Sequence, residues 1–240
     1  MSGHNKWSKI KRAKGIKDKE KGNIFAKLAR LVTLAVIEGG GVVNPDNNVK
    51  LRLAIEKAKS FNLPKENIQR AIEKGIGPDK HQLKEIIYEA FGPGGVSFVI
   101  LATTDNINRT FSEIRKTVEL MGGKLGNYGS VLYLFIKCGL AVFKNDEVGE
   151  EPVLNFADRI KAFDIDKDDE YFYIYFPYES LTKVKDYLQG MNYEIIEINY
   201  KPNSFIEVTD QKLAKKISEF AEALENLDDV HKVYSNEKIA

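Results

Sequence analysis

Between about residues 22 and 78 the apolar residues recur every three or four positions, and from about residue 84 short continuous apolar runs appear. The first spacing is that of helices buried along one stripe, the second that of strands. A chain that carries the two patterns in succession is α+β and multidomain. Its 240 residues leave room for two or three small domains.

The helical part predicts an N-terminal helical bundle. Its first helix is expected from about Asn23 to Glu38, with Ile24, Phe25, Leu28, Leu31, Val32 and Ala35 on a broad apolar face. Gly39-Gly40-Gly41 stops it, because glycine supplies the left-handed conformation of a helix end. Asn44 as cap and Pro45 at the first position predict the start of a second helix, with Leu51, Ala54, Ile55 and Ala58 on one stripe. A third starts near Pro64, buries Ile68, Ala71 and Ile72, and ends at Gly75-Ile76-Gly77-Pro78.

After the change of period, residues 85–91 and 96–103 predict strands joined by the turn Gly92-Pro93-Gly94-Gly95. A helix follows from about Asn108 to Met121, then a β-rich run from Val131 to Ile136. Residues 139–200 give the order β-α-β-β-α-β, the ferredoxin-like arrangement. The strand pieces before it have too few helices, and the helix and strand after it have no sheet of their own. The economical solution is a middle α+β domain of residues 81–137 plus 203–240, with a ferredoxin-like domain, 138–202, inserted in it. A basic arm, 1–21, and the helical domain, 22–80, precede them.

The net charge of +1 conceals opposite regions. Residues 1–80 hold 18 Lys and Arg against 8 Asp and Glu, and residues 81–240 hold 18 against 27. Eight cations fall in the first 21 residues: Lys6, Lys9, Lys11, Arg12, Lys14, Lys17, Lys19 and Lys21, with Trp7 among them. Such a segment cannot bury a core. It can neutralise phosphates and stack its one indole on a base or sugar. The competing reading is a solvated, frayed terminus. Arg52, Arg70 and Lys74 extend the candidate nucleic-acid surface onto the helical domain, where the outer face of the third helix also offers Lys65, Asn67 and Gln69 to a groove.

Membrane and catalytic readings find less support. The longest apolar run of the basic part is broken by Thr33 and ends at Glu38, short of a span, and no apolar segment of signal-peptide type follows the basic start. The single cysteine, Cys138, excludes an intramolecular disulfide and suits a reducing cytoplasm. His4, His81 and His231 lack ligand spacing, so no metal and no cofactor is expected. No nucleophile elbow, Walker loop or dinucleotide fingerprint is present, which argues against an enzyme. The acidic stretch 164–170 lacks the glycine and closing glutamate of a calcium loop and reads as a solvated turn. The aromatics Tyr171, Phe172, Tyr173, Tyr175 and Phe176 read as sheet packing rather than an RNA-stacking face, because acids flank them.

The run Gly3-His4-Asn5-Lys6-Trp7-Ser8-Lys9-Ile10-Lys11 resembles the opening of the YebC/PmpR family. Lys21-Gly22-Asn23-Ile24-Phe25, Arg70-Ala71-Ile72-Glu73-Lys74-Gly75, Tyr88-Glu89-Ala90-Phe91-Gly92-Pro93-Gly94-Gly95, Gly129-Ser130-Val131 and Asp228-Asp229-Val230 follow in the family's order. Asn5, Ala90 and Ile107 stand where the family usually has Ser, Gly and Arg. The resemblance implies a helical domain and two α+β domains, the third ferredoxin-like and inserted in the second. It implies nucleic-acid binding without catalysis, in one of two settings. One is translation, at ribosomes stalled on proline-rich sequences, through relatives that include a mitochondrial translational activator. The other is DNA-binding control of transcription. The expected partners are ribosomal RNA or DNA and the ribosome, with no membrane, and the chain is expected to act in the cytoplasm as a monomer. An acidic protein-interaction module is the third reading.

Overall fold

A computed structural model describes residues 18–78 and 83–239, with side chains from Gly22 onward. The fold is α+β: a helical bundle, a middle α+β domain and an inserted ferredoxin-like domain. Residues 136–201 form one compact unit, and the remaining described residues form the other.

In the larger unit, α1 spans Asp18–Glu38, α2 Val49–Ser60 and α3 Lys65–Ile76. Helix α1 begins five residues before the expected Asn23, inside the stretch taken as arm. Val32, Thr33, Leu34, Ala35 and Val36 are all buried, so this part of α1 is covered on every side. One side packs on α2 and α3 through Leu51, Ala58, Leu63, Ile68 and Ala71.

The second helix starts at Val49, not at Pro45. Asn48 decides this. Its buried side chain accepts from Leu51 N–H (3.0 Å) and donates to the carbonyls of Ala35 (2.9 Å) and Val42 (3.0 Å). A cap that also ties down the end of α1 outweighs the local Asn-Pro signal. Asn44 instead holds a turn, its side chain accepting from Asp46 N–H.

The middle sheet is built from β1 (Lys84–Phe91), β2 (Ser97–Thr104), β3 (Lys124–Leu125) and β9 (Val230–Ser235), in the order β3-β1-β2-β9 and antiparallel throughout. The turn between β1 and β2 is structural. Gly92 N–H donates to Val96 O (2.8 Å), and the Phe98 ring lies where a side chain at Gly92 would stand. Helices α4 (Ile107–Leu120) and α7 (Gln211–Glu225) cover one face with Ile114, Val118, Ile217, Phe220 and Leu224. The Phe98 and Phe220 rings meet at 4.7 Å, a contact worth about 0.5–1.5 kcal/mol beyond the burial of the rings. At the β9 edge the Val233 N–H is taken by the Glu225 carboxylate (3.3 Å), which blunts strand addition there. Short strands β8 (Ile206–Val208) and β10 (Glu237–Ile239) pair in parallel beside this sheet's elements in sequence.

The smaller unit runs β4 (Phe135–Lys144), α5 (Glu150–Arg159), β5 (Asp164–Lys167), β6 (Tyr171–Pro177), α6 (Val184–Leu188) and β7 (Ile195–Pro202). Its sheet order, β5-β6-β4-β7, is the ferredoxin-like one. The sequence suggests two separate β runs around Gly139, but β4 is one strand. Gly139 does not break it, because the Phe176 ring packs where its side chain would stand. The start of the expected run, Leu132–Leu134, is a 3-10 turn. The second helix of this unit is short, with a 3-10 turn at Tyr178–Thr182 ahead of α6. Phe143, Phe156 and Phe176 form its ring core.

Candidate nucleic-acid interface

Among the candidate binding residues, Lys6, Trp7, Lys9, Lys11, Arg12, Lys14 and Lys17 lie outside the described residues. Lys19 and Lys21 fall on the first turn of α1, ahead of the described side chains. The arm therefore leads directly into the buried helix of the molecule. Whatever fixes α1 fixes where the arm begins.

Arg52 is half-buried on α2 and has no hydrogen-bond or ion-pair partner among the described residues. Arg70 and Lys74 are exposed four residues apart, on one face of α3. That face is mixed. Arg70 turns back on its own helix, donating to Asn67 Oδ1 (2.7 Å) and Glu66 O (3.3 Å). Gln69 donates to Glu73 (3.0 Å). Two acids and two self-bonded side chains share this face with the exposed Lys74.

A cluster that the sequence reading missed anchors α1 to the α+β domain. Arg30 donates to Asp229 Oδ1 (2.5 Å) and to Asp228 O (2.8 Å). From the other side Arg109 Nη2 (2.8 Å), Thr110 Oγ1 (2.6 Å) and Thr104 Oγ1 (3.2 Å) donate to Asp229 Oδ2. Burial pushes the Asp229 carboxyl up, but hydrogen bonds from Thr110, Arg109 and Arg30 outweigh it and hold the group below its usual range. One turn earlier, Lys27 donates to Glu225 O (2.6 Å), capping the last turn of α7 with a cation. Burial pulls the Lys27 ammonium down to about 8, against the upward pull of Asp228, Glu225 and Asp229. Asn23 adds a bond to Asp228 (3.1 Å). The sequence signal was faint: Asp228-Asp229 stood out only as part of a family motif, and Arg30 and Arg109 lie more than a hundred residues away from it.

The groups that could carry chemistry have structural surroundings. Cys138 is buried, and burial pushes its thiol up to about 11. Burial, then the charges of Lys57, Lys232, Lys27 and Arg30, draw the His231 imidazole down to about 3. Asp164 and Asp166 both hold the buried Lys201, at 2.5 and 3.0 Å. Asp168 closes a turn onto the Glu170 and Tyr171 N–H groups and accepts from Tyr173 Oη (2.7 Å). Tyr171, Phe172, Tyr173 and Phe176 are buried. Among the described residues no group of His, Cys, Asp and Glu is placed to hold a metal ion, and no helix is long and apolar enough to cross a membrane.

A family model described as "TACO1/YebC protein N-terminal domain" matches residues 5–78, and one described as "TACO1/YebC second and third domain" matches residues 83–237. A "Probable transcriptional regulatory protein" of Aquifex aeolicus is 43% identical, over 100% of this chain and 96% of its own length. One of Chloroflexus aurantiacus is 44% identical, over 98% and 95%. The crystal structure of a conserved hypothetical protein from Aquifex aeolicus is similar at a TM-score of 0.82, with 41% identity, 93% of this chain and 92% of that one covered.

Proposed function

The chain belongs to the TACO1/YebC family, and on that premise we propose that it is a non-enzymatic, nucleic-acid-binding regulator of gene expression. The observation that carries this reading is the segregation of charge, with eight cations and one tryptophan packed into the 21 residues that lead into α1. Relatives that bear the name of transcriptional regulators support the regulatory part.

Within that reading we favour RNA, and action on the ribosome to relieve stalling on proline-rich sequences. A Lys-rich segment with a single indole suits unpaired or irregularly folded RNA, whose bases are free to stack. The self-bonded, mixed-charge face of α3 speaks against a major-groove reader. The names of the relatives favour the second reading, DNA-binding control of transcription. Crosslinking in cells, followed by sequencing of the bound nucleic acid, separates the two. Ribosomal RNA is the expected product, and promoter DNA without ribosomal RNA would overturn the ribosomal assignment. Loss of in-cell function on removal of residues 1–17 is expected. Full function without them would favour a protein-interaction module.

A further inference from the structure

We propose that the loop between β3 and β4, with Tyr128 and Tyr133, is a second nucleic-acid contact that stacks unpaired nucleobases. The loop is tied to β1 through Glu89. Glu89 on β1 is 2% exposed, and its carboxylate accepts from the N–H groups of Gly129 (2.5 Å), Val131 (2.6 Å) and Leu132 (2.8 Å). The Glu89 carbonyl accepts from Gly126 N–H (2.7 Å), and Ser130 Oγ lies where a side chain at Gly126 would stand. Val131, within the loop, is fully buried. At its far end Asn203 donates to Leu134 O (2.9 Å) and to Tyr133 O (3.3 Å). A buried carboxylate that accepts three amides makes strong, charge-assisted bonds, and it fixes the backbone on which both rings are mounted.

Both rings face away from this framework. Tyr128 is 88% exposed and Tyr133 69%, and neither hydroxyl has a partner among the described residues. They contribute nothing to a core, so the packing of the fold does not account for them. A rigid, exposed aromatic gives contact area at little cost in conformational entropy, which is what a stacking platform needs. The local charge selects the partner. Residues 120–135 contain Lys124 and no Asp or Glu, within the part of the chain where acids outnumber cations 27 to 18. An acid-free stretch with two tyrosines suits a polyanion that presents bases, and not a basic protein surface.

This inference rests on the nucleic-acid reading above, and its test keeps the two apart. Fluorescence anisotropy with the full-length chain would measure Kd for one short unstructured RNA, the DNA strand of the same sequence and the corresponding duplex. Tyr128→Ala and Tyr133→Ala are each expected to weaken single-strand binding by about 5- to 150-fold, with the salt slope and thermal midpoint unchanged. Tyr→Phe at either position restores affinity, since the ring and not the hydroxyl does the stacking. Preference for the RNA or for the DNA strand identifies the source of the bases. Alanine variants that bind both strands like the wild type, while charge reversal at Lys11 and Arg12 weakens binding, overturn this proposal and leave the nucleic-acid reading standing. A loss that Phe does not restore, or that comes with lower thermal stability, also overturns it. A wild-type chain that binds none of the three probes removes both.

Discussion

Asp229 ties three elements of the larger unit together. It is buried, it accepts from two arginines and two threonines, and it joins α1 to β2 and α4. Asp229→Asn keeps the shape and removes the charge. It puts an amide N–H₂ against donors and leaves Arg30 and Arg109 without their shared counter-charge. Both arginines are partly open to water, which softens the loss, so about 2–3 kcal/mol of stability is expected to disappear. Denaturant unfolding measures it, and faster amide exchange in α1 would place it. His231 works in the opposite sense. Its Nδ1 lies 3.1 Å from Thr103 Oγ1 and its Nε2 3.6 Å from Glu85, but burial and the surrounding Lys57, Lys232, Lys27 and Arg30 keep it neutral down to a pH of about 3. The unfolded chain takes up that proton near its ordinary value of 6.5. Between those limits the unfolded state binds more protons, so this contribution is full above pH 6.5 and drains away as pH falls toward 3. Unfolding midpoints recorded across that range should decline, and His231→Gln should flatten the decline.

At the scale of elements, close helix packing is set by small residues whose role no local pattern reveals. Gly75 sits on α3 against Val36 of α1, and a methyl group there would come within 2.6 Å of Val36 Cβ. Thr33 Oγ1 donates to Ala71 O (2.8 Å) at the same crossing. Gly75→Ala would improve intrinsic helix propensity by about 1 kcal/mol. The clash costs about 1–3 kcal/mol, because two backbones would have to part. A net fall in thermal midpoint is therefore expected, with partial recovery on adding Val36→Ala. A rise in midpoint for the single variant would show that α1 and α3 can separate freely. Asn48 teaches the same lesson from the polar side. Asn44-Pro45 is the better local start signal, and the helix ignores it because only Asn48 reaches both α1 and its own first turn.

For the whole molecule, the opposed charges make a measurable claim. If five or six cations of the arm and helical domain meet phosphates, log Kd against log salt should have a slope of roughly 4 to 5 in magnitude. Charge reversal at Lys11 and Arg12 should weaken binding to all sequences alike and flatten that slope. Trp7→Ala should cost on the order of 1–3 kcal/mol without changing it, because stacking releases no counterions. Equal affinity in low and high salt would remove the phosphate-contact account of the arm.

The sequence alone determined the order of elements, because a hydrophobic period is a property of neighbours along the chain: helices before residue 78, sheets after 84, and β-α-β-β-α-β in residues 139–200. It also determined the charge asymmetry, which is a matter of counting. It misplaced the start of α2 and divided β4 at Gly139, because Asn48 and Gly139 take their roles from Ala35 and Phe176, residues distant in the chain. The candidate interface divides in the same way. The arm was visible as a run of cations. The Arg30–Asp229–Arg109 anchor and the Glu89 cradle beneath Tyr128 and Tyr133 were not. A buried carboxylate is written like an exposed one, and only tertiary contact decides which donors surround it and what they hold in place.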